Sequence, residues 1–392
     1  MRIEIVTHKT GEQIPIMLDV SGMPVPLPNE FILARRALST NTLVRNLREL
    51  VVLYRWLEEL NFDLSAKLLA RNSFNEAELK GSLIEALRVD QADDRAGTVS
   101  PNTFNQRLIT IRQFIGWCMD VLTSQLPMSS LDYERLRERK SFILKTLDGS
   151  FMSRQPMRKS LRKGLNEAEV DFLLEILHPD ADQGFGRDPV VRVRNYVSVG
   201  LMLFCGLRPG ELLSLRVEDV QIGAISAIRV ERRPANLFDK RRPRPQIKRN
   251  GRVIPIDNRR LAFALNEYIV TWREVLESKA RIESEYLILS DVGSPLSQSS
   301  ITQLFQLLRA QYSEHLPENL TAKSLRHTFS SRIERVLRAA GMDEQRRREA
   351  LALLRGDSSL DSQDTYIAQE IEEQALQSLK RYQAEIISGT RL

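Results

Sequence analysis

The sequence predicts a two-domain protein, mainly α with a small antiparallel β-sheet. Three observations carry that expectation. The chain has 392 residues, more than a single core usually serves. Apolar residues recur at Leu43, Leu47, Leu50, Tyr54 and Leu57, steps of four and three that place them on one helical face. Two β-like runs, 225–233 and 246–256, flank a long Pro-rich loop, "RPANLFDKRRPRPQ", and read as a hairpin with an exposed tip.

Composition narrows the class. No stretch reaches the 18 or so consecutive apolar residues of a membrane span. The start, "MRIEIVTHKTGEQ", lacks an apolar leader core, so a cytoplasmic protein is expected. Cys118 and Cys205 lie in apolar surroundings without CxxC spacing, as reduced core thiols would. Four scattered histidines make a metal site improbable. The net charge of +6 is unevenly spread. Residues 139–163 hold eight Lys/Arg against one Asp, and residues 229–252 hold ten against two acids. A phosphate-binding surface needs such concentration, although a solvated linker and loop would also carry it.

Taken in order, residues 1–30 read as an N-terminal arm, with β-like "RIEIVTH" and "PIMLDV" before the Pro-rich "GMPVPLPNE". Residues 31–145 read as a helical domain with an internal resemblance. "STNTLVRNLRELVVLYRW" (39–56) and "SPNTFNQRLITIRQFIGW" (100–117) align without gaps, matching Ser39/Ser100, Asn41/Asn102, Thr42/Thr103, Leu47/Leu108 and Trp56/Trp117. Ser before each helical pattern, and Pro101 early in the second, suit helix starts. The polar faces carry Arg45, Arg48, Arg107 and Arg112, candidates to meet phosphates. Residues 146–164 read as a basic linker broken by Gly, Ser and Pro, with Arg158, Lys159, Arg162 and Lys163 as further candidates. The second domain, 165–392, opens on a helix capped by Asn166 with acids in its first turn. Helices over about 189–205 and 209–216, the hairpin with Lys240, Arg241, Arg242 and Arg244, and further helices follow. The last helix, 367–387, is amphipathic, with Ile367, Ile371, Ala375 and Leu379 at four-residue spacing.

Four short stretches carry chemistry. "GLRPGELLSL" places Arg208 at a Gly-containing turn, with Glu211 three residues on and able to orient its guanidinium. "QIKRNGRVIPI" sets Lys248 beside an Asn-Gly turn. "KSLRHTF" puts Lys323 and Arg326 on one helical face, followed by His327. "RGDSSLDSQDTY" ends at Tyr366, nine residues after Asp357.

Together these stretches resemble the catalytic domain of the tyrosine recombinase, or phage integrase, family of site-specific DNA recombinases. "GLRPGELLSL" resembles the family's first arginine box, and "SLRHTF" its second. "GDSSLDSQDTY" resembles its Gly-His-Ser-Ser stretch with the following tyrosine. The first half, with its Ser-x-Asn-Thr helix starts, resembles the family's helical core-binding domain. The resemblance spans roughly 15–380 and implies a two-domain clamp on double-stranded DNA.

By that resemblance Arg208 and Arg326 are the two catalytic arginines, Lys248 the lysine and Tyr366 the nucleophile. Glu211 matches the acidic position after the first arginine, and His327 supports the Arg326 helix. Two positions depart from the pattern. Lys323 stands where the family usually has histidine, and Asp357 where it has histidine or tryptophan.

The resemblance implies strand cleavage and rejoining through a 3′-phosphotyrosyl intermediate, with no cofactor, neither metal nor ATP. It also implies a specific recombination site, a dimer on that site, a tetramer in synapsis, and room for accessory proteins. Two rival readings share the fold or the chemistry: a catalytically impaired DNA-binding accessory protein, and a type IB topoisomerase-like enzyme.

Overall fold

The computed structural model describes all residues except 90–96, 154–163, 183, 187, 235, 248–250, 357–374 and 385–392. The described chain forms two compact units, Met1–Lys159 and Ser160–Leu392, each with its own hydrophobic core. Helices dominate both, with two small antiparallel sheets. Among the described residues no helix is long and apolar enough to cross a membrane.

The first unit opens on an antiparallel pair, β1 (Arg2–Thr7) and β2 (Gln13–Leu18), with Arg2 opposite Leu18 and Thr7 opposite Gln13. Met17 and Leu18 of β2 are buried. The helices are α1 (Pro26–Ala34), α2 (Thr40–Glu59), α3 (Leu64–Leu69), α4 (Ile84–Arg88), α5 (Pro101–Ser124) and α6 (Leu131–Asp148). The repeated Ser-x-Asn-Thr is a capping device. Ser39 accepts from the Thr42 amide at 3.3 Å and Ser100 from the Thr103 amide at 3.2 Å. In each copy the two hydroxyls also bond, at 2.9 and 3.0 Å. Satisfying an orphan amide in this way fixes where each long helix begins.

Past the caps, α2 and α5 meet through a buried polar cross-link. Asn46 donates to Thr110 at 3.0 Å, and Thr110 donates to Glu49. Burial pushes the Glu49 carboxyl upward, against the opposing pull of Thr110 and Arg45. An acid with a raised folded pKa binds its proton more tightly in the native state. Stability is therefore greatest below the unfolded value of about 4.3 and falls as pH rises through the folded one. Glu49→Gln keeps the acceptor for Thr110 and should flatten that decline, seen as a higher melting temperature at pH 8 but not at pH 4.

The second unit contains α7 (Glu167–Leu177), α8 (Pro189–Phe204), α9 (Pro209–Leu212), β3 (Val220–Gln221), β4 (Ser226–Val230), β5 (Arg252–Ile256), α10 (Arg259–Glu267), α11 (Arg273–Glu277), α12 (Gln298–Gln311), α13 (Ala322–Ala339) and α14 (Glu344–Arg355). A further helix, α15, covers 375–384. Asn166 and Glu169 form a reciprocal capping box at the start of α7. The strands pair in the order β3-β4-β5, with Ser226 opposite Ile256 and Val230 opposite Arg252. The helix expected over 209–216 stops at Leu212. Past it the chain joins 285–287, with Val217 donating to Glu285 and Leu287 to Leu215. Both cysteines are buried, and burial pushes each thiol up to about 12.

Within 375–384 the apolar face of the C-terminal helix is built into its own unit. Ala375, Leu379 and Tyr382 belong to the core. The Tyr382 hydroxyl donates to the Leu203 carbonyl at 3.0 Å, and its ring lies 5.9 Å from Phe329. Gln383 accepts from the Asp257 amide at 2.6 Å and donates to the Phe204 and Pro255 carbonyls at 3.3 Å. The periodicity was readable because a buried stripe looks the same whichever molecule covers it. Ile367 and Ile371 lie outside the described residues. Truncation after residue 370 should thus cost stability, about 3 kcal/mol or more for the lost Leu379 and Tyr382 packing. An unchanged melting temperature would contradict this.

Candidate active site

The site is assembled from three sequence-distant turns. The first is the link between α8 and α9. Gly206 has φ +63°, and a Cβ there would lie 2.5 Å from the Phe329 ring. Only glycine allows both the left-handed backbone and that approach. Two residues on, Arg208 is the N-cap of α9, and its amide donates to Glu211 Oε2 at 2.9 Å. Its guanidinium donates to Glu211 Oε1, also at 2.9 Å.

The second turn is the start of α13, where Thr321 and Ser324 cap each other. Leu325, Phe329 and Ile333 pack into the core, which carries Arg326 inward until its side chain is 9% exposed. Arg326 donates to the Gly206 carbonyl and, at 2.8 Å, to the Arg355 carbonyl. The third turn ends α14 at Gly356, φ +63°. A left-handed C-terminal glycine leaves nearby carbonyls in want of donors. The Arg355 carbonyl accepts from Arg326 and from Arg208 at 3.2 Å.

Glu211 sits at the hub, its side chain 2% exposed. Besides Arg208 it receives a two-pronged contact from Arg252 of β5, at 3.0 and 3.3 Å. Arg326 lies 4.0 Å from it. Burial opposes its charge. The hydrogen bonds and charge of Arg252, with the Arg208 amide and guanidinium, outweigh burial and hold the carboxyl below its usual range. Three guanidiniums thus surround one carboxylate, leaving an excess of positive charge. Arg208, more open than the other two at 28% side-chain exposure, reaches toward solvent. Such a cluster suits an anionic oxygen pair, since guanidinium forks match phosphate geometry and are here oriented in advance.

The other expected site residues fall out as follows. Lys323 is exposed, one turn before Arg326, and His327 is half-buried. Lys248, Asp357 and Tyr366 lie outside the described residues, as do Arg158, Lys159, Arg162 and Lys163. Among the described residues no group of three or more His, Cys, Asp or Glu could hold a metal.

Arg48, Lys240 and Arg242 are exposed, and Arg45 is half-exposed beside Glu49 at 3.6 Å. Arg107 is committed to the Leu87 and Val89 carbonyls, both at 2.8 Å, and Arg112 to Asp148 at 2.9 Å. These contacts tie α5 to α4 and to α6.

Arg241 and Arg244 require a correction, because they do not sit on an exposed tip. Both are buried. Arg241 forks onto Asp239 and donates to the Leu213 and Leu296 carbonyls at 2.8 and 3.0 Å. Arg244 donates to the Asp239 carbonyl at 2.8 Å. Asp239 makes the burial tolerable by neutralising Arg241.

Arg252 is the side chain of this cluster that sequence reading missed. A signal existed: 252, 254 and 256 fall on one face of a strand, and Ile254 and Ile256 are core residues. A cation in that register needs a buried acid, and Glu211 is the one it meets.

Part of the chain is similar to known proteins. Residues 163–343 match the Phage integrase family. The tyrosine recombinase XerC of Roseiflexus castenholzii (strain DSM 13941 / HLO8) is 27% identical over 272 residues, covering 66% of this chain and 77% of its own. Among solved structures, the Tn1549 transposon integrase in complex with transposon right end DNA has a TM-score of 0.46 at 17% identity, over 90% of this chain and 98% of that one. XerH site-specific recombinase bound to difH substrate has a TM-score of 0.39 at 15% identity, over 86% of this chain and 88% of that one. Arg208, Glu211, Arg252 and Arg326 all lie inside the segment 163–343, which is similar to the phage integrase family.

Proposed function

We propose that this protein performs site-specific DNA strand exchange, integrating, excising or inverting a mobile element, with Tyr366 as nucleophile. The observation that carries the reading is the Arg208–Arg326 pair, fixed on Glu211 and on one shared carbonyl. A phosphodiester resists attack because its anionic oxygens repel nucleophiles. Two oriented guanidiniums on the nonbridging oxygens offset that repulsion and stabilise the charge gained in the transition state.

The phenolic oxygen of Tyr366 then bonds to phosphorus as the bond to the 5′-oxygen breaks. Lys248 supplies the proton to the departing oxygen, and Lys323, in its neutral amine form, is the proposed acceptor of the tyrosine proton. The 3′-phosphotyrosyl bond conserves the energy of the broken one, so a 5′-hydroxyl of another strand can reverse the step without ATP. Exchange needs several protomers, and the proposed assembly is a dimer on each site and a tetramer in synapsis, acting in the cytoplasm.

The test is a nicked duplex carrying the DNA that flanks the gene, in which the cleaved fragment diffuses away and traps the intermediate. A denaturant-resistant protein–DNA adduct is expected. Site binding without adduct would favour an accessory protein of the same fold.

A further inference from the structure

Between β4 and β5 the chain displays an unusual tip. Phe238 is 88% exposed and Leu237 56% exposed. Large apolar residues so open normally sit on loose segments, but this one is braced from beneath. Asn236 accepts from the Phe238 amide at 2.8 Å and donates to Glu285. Asp239, next in the chain, is locked in the buried fork with Arg241 and receives the Tyr286 hydroxyl at 3.2 Å. Arg241 also lies over the Tyr286 ring, 4.2 Å from its centre. The same Arg241 holds the Leu213 carbonyl, at the end of α9 opposite Arg208. The tip is thereby tied through one four-residue helix to the arginine cluster.

Arg232, Lys240 and Arg242 around the tip are exposed cations. Asp239 is internally neutralised, and Glu231 is paired with Arg229 and Arg233. An aromatic ring raised among outward-facing cations matches the chemistry of a duplex, phosphates on the outside and apolar base faces within.

We propose that Leu237 and Phe238 form an apolar wedge set against base pairs in a groove of double-stranded DNA, with Lys240 and Arg242 on flanking phosphates. The inference rests on the DNA-acting reading above and adds a contact that carries no charge. It therefore separates experimentally from phosphate binding, because phosphate contacts release counterions and steepen the salt dependence, and an apolar contact does not.

The experiment is fluorescence anisotropy of the full chain on a labelled mixed-sequence DNA duplex across a salt series. Phe238→Ala should weaken binding about tenfold at every salt concentration with the slope unchanged, and Phe238→Trp should restore it. Lys240→Ala with Arg242→Ala should instead lower the slope by about two. Phe238 packs on nothing in the core, so melting temperature should stay constant and serves as the folding control. Wild-type binding with Phe238→Ala equally tight would overturn the wedge. So would a loss of self-association in sedimentation without loss of DNA affinity, which would make the tip a protein contact. A wild-type chain that binds no duplex at any salt would sink the DNA reading itself, and the wedge with it.

Discussion

Tyr366→Phe should abolish the covalent protein–DNA adduct while leaving site binding nearly unchanged. The substitution removes one oxygen, which contributes little to affinity but is the atom proposed to bond to phosphorus. Adduct formation should fall by at least about four orders of magnitude, some 5.5 kcal/mol of barrier. The structure removes the nearest rival tyrosine. Tyr382 is wholly buried, donates to the Leu203 carbonyl, and has its phenol pushed strongly upward by burial. Its role is packing. Persistent adduct in Tyr366→Phe would therefore demand a nucleophile other than either residue.

Arg252→Met should be the most damaging change among residues the proposed mechanism does not use directly. Arg252 supplies the two-pronged partner of Glu211, and both side chains are almost fully buried. Removing one member of such a pair costs about 3–5 kcal/mol, because the other is left charged and poorly solvated. Arg208 would also lose part of the electrostatic anchor that orients it, so cleavage should fall with stability.

The pH dependence supplies an independent readout. Glu211 has a depressed folded pKa, so its stabilisation is present above the unfolded value of about 4.3 and is lost as pH falls through the folded value. Without Arg252, burial dominates, and the acid-side loss should move to higher pH in thermal melts. Arg252→Lys should recover part of the stability but less of the cleavage, because an ammonium cannot reproduce the fork. Unchanged melting at every pH in Arg252→Met would contradict this account of Glu211.

Local chemistry was legible in the sequence where its partners are neighbours. The Ser39 and Ser100 caps and the Asn166–Glu169 box join residues three apart, and the Arg208–Glu211 contact has the same spacing. What failed to show was chemistry closed over distance. Arg241 and Arg244 looked like surface charge because the Leu213 and Leu296 carbonyls that receive Arg241 lie 28 and 55 residues away. Charge counting cannot see a carbonyl, and so it also missed Arg355, whose backbone oxygen joins Arg208 and Arg326 across 147 and 29 residues. Arg107 and Arg112 also have partners that charge counting did not show. Each lies on the polar side of its helix, but a neighbouring helix end or carboxylate was there to receive it. In the C-terminal helix, periodicity announced a buried face without naming the molecule that buries it.

The central claim is that a tyrosine of this chain becomes joined to DNA beside the Arg208–Arg326 pair. The most direct measurement is mass spectrometry of the adduct trapped on the nicked duplex, after digestion of both protein and DNA. The account predicts one modified peptide, with Tyr366 linked to a 3′-phosphate and the released strand bearing a 5′-hydroxyl. A link to any other residue, or attachment through a 5′-phosphate, would contradict it.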